Sequence, residues 1–109
     1  MDESLFFYFE EPDLCLRARD AGWATMHLPS LTIVHYGGSQ GSSVRLGAQM
    51  AYAQRQYMRK HMSRGAEILG TGALAMGYAL RAVAGPRRPA SRRALVTVLG
   101  LRPGPFQRI

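Results

Sequence analysis

Residues 5–9, "LFFYF", form an unbroken apolar and aromatic run, the pattern of a short strand covered on both faces. Pro12 then fits the first turn of a helix, where a missing N–H costs nothing. Leu14, Cys15, Ala18 and Ala21 recur at helical spacing, with Arg17, Arg19 and Asp20 on the wet side, and Gly22 suits the residue after the last turn. Residues 23–28 and 31–36 read as two further short strands, parted by Pro29 and Ser30. A glycine-serine loop, "HYGGSQGSS", occupies residues 35–43. Residues 44–64 carry an apolar stripe of Leu46, Met50, Ala53 and Tyr57 opposite Arg55, Arg59, Lys60 and Arg64, which predicts a helix stopped by Gly65. Residues 66–84 predict another helix. Its apolar core, 68–80, is shorter than the roughly 20 residues that cross a bilayer. "GPRRPASRR", residues 85–93, reads as a basic linker before a short apolar piece at 94–101.

Charge sharpens this picture. The chain of 109 residues has a net charge of +7, but the sign is unevenly spread. Residues 1–43 hold six of the seven acids and two arginines, whereas residues 44–109 hold twelve basic residues and one acid, Glu67. The split predicts an acidic site in the first part and an anionic partner for the second. Nothing aromatic is interleaved with the arginines of the tail and no binding motif accompanies them, which argues against nucleic acid. An interfacial segment meeting anionic lipid and a merely solvated basic tail then stand as equal alternatives. Cys15 is the sole cysteine, so no intrachain disulfide forms, and its apolar setting predicts a buried thiol. No basic segment opens the chain as a secretory signal would, and a cytoplasmic location is expected.

Glu10, Glu11 and Asp13 invite two readings. Acids in a first helical turn satisfy free N–H groups and the positive end of the helix dipole. A carboxylate at the C-terminal end of a buried strand also stands where α/β folds bind ligands, and there it can act as a general base. Composition alone favours capping, and it is a family resemblance that points to the second reading. "MDESLFFYFEEPDLCLRARDAGW" followed by "VHYGG" resembles the C-terminal half of the catalytic domain of family-2 glycosyltransferases, in particular the bacterial rhamnosyltransferase-like group. The resemblance covers residues 1 to about 62, and the basic helix "YAQRQYMRKH" extends it weakly.

That resemblance implies an α/β fold, the C-terminal half of a doubly wound, Rossmann-like GT-A domain over residues 1–62, followed by a helical basic tail over 63–109. It implies transfer from a nucleotide-diphosphate sugar to a glycan or polyprenyl-linked acceptor, with Glu11 as the base that deprotonates the acceptor. Glu10 and Asp13 fall on structural or acceptor-contacting positions. Glutamate stands at 11 where the family usually has aspartate, and the extra methylene moves the carboxylate by roughly 1.5 Å. His35, leading into Gly37 and Gly38, falls where related enzymes help to hold a divalent cation, Mn²⁺ or Mg²⁺, and the glycines would let backbone approach the diphosphate. His27 and His61 have no such context and read as surface residues. The N-terminal nucleotide-binding half and its D-x-D motif are not found in these 109 residues, so the chain is expected to be inactive alone. The competing expectation is a non-catalytic basic module, bound to membrane or protein, in which the acids only cap a helix.

Overall fold

The computed structural model describes residues 2–5, 7–35 and 43–105. A turn of 3-10 helix, Glu3–Leu5, precedes four α-helices: α1 (Glu10–Asp20), α2 (Val44–His61), α3 (Arg64–Ala84) and α4 (Arg88–Val98). No strand occurs among the described residues. The expected α/β, Rossmann-like fold is therefore corrected to an all-helical one.

The three strand expectations fail for identifiable reasons. At residues 7–9, the described end of the first run, the backbone turns instead of extending, because Tyr8 (φ 72°) and Phe9 (φ 65°) are both left-handed, a conformation no strand contains. Residues 23–35 are free of helix, but every one of them is exposed and no strand among the described residues lies beside them. Apolar alternation makes a strand only where another strand supplies its hydrogen bonds. The turn at Pro29 and Ser30 does form, closed by the Leu31 N–H on the Leu28 carbonyl at 3.2 Å.

α2, α3 and α4 pack into one cluster. Serines open two of these helices: Ser43 Oγ accepts from the Leu46 N–H at 3.1 Å, and Ser63 Oγ from the Ala66 N–H at 3.4 Å. Such caps each contribute about 1 kcal/mol. Ser63 thus starts α3 and Gly65 lies inside its first turn, so the expected stop at Gly65 moves back to Met62. The core is built from small residues, Ala51, Ala94 and Val98, with Leu74, Ala75, Tyr78 and Leu95 packed around them. Small side chains let α2 and α4 approach closely. Residues expected to be a basic linker mostly form α4, where Ser91 and Ala94 are buried.

α1 is different. Asp13 is its only buried residue, while Leu14 and Cys15 are exposed. The expected burial of the Cys15 thiol is corrected, since no described element covers that face of α1.

α3 is amphipathic in the inverted sense. Its outward face carries Leu69, Gly72, Ala73, Met76, Leu80 and Val83, all exposed and none charged. Glu67, Thr71 and Tyr78 lie on its half-buried side instead. No helix of the described residues is long and apolar enough to cross a membrane.

The α3–α4 corner depends on Gly85. A Cβ there would stand 2.5 Å from the Arg81 carbonyl oxygen, a backbone atom with no rotamer to move. Gly85→Ala is expected to destabilise the chain by about 1–3 kcal/mol, read as a lower urea midpoint. An unchanged midpoint would show that the corner is built differently.

Candidate functional site

The acid-rich start of α1 is delivered by a strained aromatic turn. Two successive left-handed non-glycine residues cost about 1–3 kcal/mol each, so neighbouring contacts must hold them. Gln49, buried on α2, donates from Nε2 to the Phe7 carbonyl at 3.2 Å. The Phe9 ring lies against Tyr57 (centroids 5.2 Å apart), and Tyr57 in turn against His61 (4.8 Å). Phe9 then serves as the N-cap residue without a side-chain cap, and the Asp13 N–H closes the first turn on its carbonyl.

Asp13 is the anchor. Its carboxylate is 1% exposed and accepts from three side chains. Arg17 Nε reaches Oδ2 at 2.9 Å, and Lys60 Nζ and His61 Nε2 both reach Oδ1 at 2.7 Å. Lys60 also bridges to Asp2, whose carboxylate in addition caps Ser4 through its N–H and hydroxyl. Burial pushes the Asp13 carboxyl up, but the hydrogen bonds from Lys60, His61 and Arg17 outweigh it and hold its pKa down at about 2. The same bonds, to Asp13 first and then to Asp2, raise the Lys60 ammonium. Hydrogen bonds from Lys60 and Ser4 lower Asp2 as well.

The two glutamates beside Asp13 are free. Glu11 is exposed and makes no hydrogen bond or ion pair among the described residues. Glu10 is half-buried, and its Oε2 is shut away from solvent without a hydrogen-bond partner there. Asp20 and Glu67, by contrast, are paired with Arg19 and Arg59. A buried carboxylate oxygen with no donor is costly. The arrangement thus places a carboxylate oxygen closed off from solvent at Glu10 and, one residue on, a carboxylate open to it at Glu11.

The other expected site residues are not gathered here. His35 is exposed at the end of the extended segment, and Gly37 and Gly38 lie outside the described residues. No group of three His, Cys, Asp or Glu side chains able to hold a metal occurs among the described residues. A single exposed imidazole does not make a divalent-cation site. His61, read from sequence as a surface residue, is instead a partner of Asp13 from 48 positions away. The only local signal for it was its place in the basic last turn of α2. Comparison with family models, with curated proteins and with solved structures finds no match for this chain.

The ion pairs set an acid limit on stability. Asp13 titrates lower in the folded chain than its ordinary 3.8, so its contribution is present above about pH 4 and is lost as pH falls toward 2. Lys60 is shifted the other way, and its contribution is lost only in strong alkali. Melting temperature is therefore expected to drop between about pH 4 and pH 2. Asp13→Asn should cost about 1–3 kcal/mol at pH 7 and make that acid drop shallower. An unchanged acid profile in the Asp13→Asn variant would remove Asp13 as its origin.

Proposed function

We propose that the chain is the acceptor side of an inverting glycosyltransferase of surface or cell-wall polysaccharide synthesis, working at the inner face of the cell membrane. The observation that carries this reading is the pair of unpaired carboxylates at the start of α1, in a sequence context resembling that family. Glu10 Oε2 is buried and lacks a donor, whereas Glu11 faces solvent. In this reading Glu10 turns its carboxylate outward to accept a hydrogen bond from the acceptor saccharide and orient it. Glu11 takes the proton of the attacking hydroxyl, and that oxygen bonds to the anomeric carbon from the face opposite the leaving group. The bond to the diphosphate breaks, the nucleoside diphosphate departs with its electron pair, and Glu11 later passes its proton to water. Asp13, saturated by three cationic or imidazole donors, positions the turn and takes no part in proton transfer.

The nucleotide-sugar is held by a second unit, together with any Mn²⁺ or Mg²⁺, and no step here runs through the metal. The extended segment supplies apolar side chains for such a unit to cover: Trp23, Met26, Leu31, Ile33 and Val34 are 69–86% exposed.

Sugar transfer should be absent from the purified chain and appear when a nucleotide-sugar-binding half-domain of the same family is supplied in trans. Glu11→Gln keeps size and removes charge, and it should lower that turnover by about a hundredfold or more. Equal turnover would eliminate Glu11 as the base and leave the non-catalytic module.

That second reading, a non-catalytic module at an anionic membrane surface, is favoured by the outward face of α3. Its apolar side chains match the depth an interfacial helix reaches, and the basic chain around it matches anionic headgroups. Vesicles containing acidic lipid should carry the chain upward in a flotation gradient, and neutral vesicles should not. Met76→Glu with Leu80→Glu, both at exposed positions, should leave the chain at the bottom. Flotation of that double variant equal to the parent would remove α3 as the contact.

A further inference from the structure

A separate region lies between the start of α2, the end of α3 and the start of α4, bordered by Tyr8 of the turn before α1. It is a cleft of about 610 Å³, within the roughly 300–1,000 Å³ of small-molecule sites. Leu46, Met50, Tyr8 and Tyr78 give it apolar walls, and Arg81 and Arg87 are its charged residues. Neither guanidinium makes an ion pair among the described residues, and no described carboxylate lines the cleft. The Tyr78 hydroxyl is already committed to Gln54 Oε1 at 3.1 Å, so it leaves the cationic character of the cleft unopposed. The first turn of α4, at whose N-cap Arg87 stands without a side-chain cap and in which Pro89 lacks an N–H, adds the positive end of a dipole.

Apolar walls beside two unpaired guanidiniums fit one class of ligand. We infer that this cleft binds an amphiphile with a phosphate head, its chain against Leu46, Met50 and Tyr78 and its phosphate on Arg81 and Arg87. Guanidinium suits phosphate because its planar donors meet two oxygens at once. The inference stands apart from the sugar-transfer reading, since none of these residues belongs to the start of α1.

Isothermal titration with dodecyl phosphate below its micellar concentration tests it. One molecule should bind per chain. Dodecyl maltoside, with the same tail and no charge, and inorganic phosphate, with the charge and no tail, should each bind at least about tenfold more weakly. Arg81→Gln with Arg87→Gln should weaken dodecyl phosphate binding by about tenfold or more, and both side chains are exposed, so the fold should survive. Ala90→Phe, which fills the cleft from α4, should also weaken it, whereas Met76→Glu with Leu80→Glu on the outer face of α3 should not. Equal affinity for the maltoside, or for inorganic phosphate alone, would overturn the proposal. So would a double arginine variant that binds as the parent does. If Ala90→Phe fails to fold, the arginine variant decides by itself.

Discussion

One buried carboxylate joins the two parts of this protein. α1 has no apolar face against the helical cluster, and what holds it is Asp13, gripped by Lys60 and His61 from the end of α2 and by Arg17 from its own next turn. An isolated carboxylate in such a place would be strongly disfavoured. Three donors reverse the balance and leave it ionised far below ordinary pH. Lys60 then reaches past Asp13 to Asp2, so the chain before α1 is tied to the same point. The aromatic contact from Phe9 through Tyr57 to His61 runs beside this ion cluster. Removing the carboxylate would loosen the turn that presents Glu10 and Glu11.

This also explains how two left-handed aromatic residues are tolerated in succession. Tyr8 and Phe9 are held from both sides, by Gln49 on the Phe7 carbonyl and by Asp13 one helical turn later. Strain of this sort persists only where the surroundings over-determine the backbone. Here it sets the backbone immediately before α1, and the two carboxylates that follow make no ion pair among the described residues.

Helices were legible in the sequence where local pattern decides them. The stripe of Leu46, Met50, Ala53 and Tyr57 placed α2, and the apolar run around Ile68 to Leu80 placed α3, with errors confined to their shared boundary. Ser63 set that boundary through a cap, while Gly65 entered the helix at modest cost. Strands were not legible because pairing is not a local property. Residues 23–35 carry strand-like side chains but have no partner strand among the described residues, and residues 7–9 are held bent by tertiary contacts to Gln49 and Tyr57. The acids of α1 were legible as a group, yet their division of labour was not. Only the fold distinguishes Asp13, which meets a histidine 48 positions away, from Glu10 and Glu11, which meet none.

The charge split acquires a physical meaning once each described acid is followed to its partner. Asp2, Asp13, Asp20 and Glu67 are all neutralised within the chain, and Lys60, Arg17, Arg19 and Arg59 are the cations they occupy. What is left over among these side chains is therefore segregated: Glu10 and Glu11 at the start of α1, and a surplus of arginine along α3 and α4. Those helices also present the inverted apolar face of α3 and the apolar cleft beside Arg81 and Arg87. Apolar surface alone would invite any hydrophobic partner, including a second copy of the chain. A second copy brings the same positive charge, whereas an anionic amphiphile or headgroup satisfies both the apolar surface and the unpaired guanidiniums. Charge thus selects the partner that shape by itself would leave open.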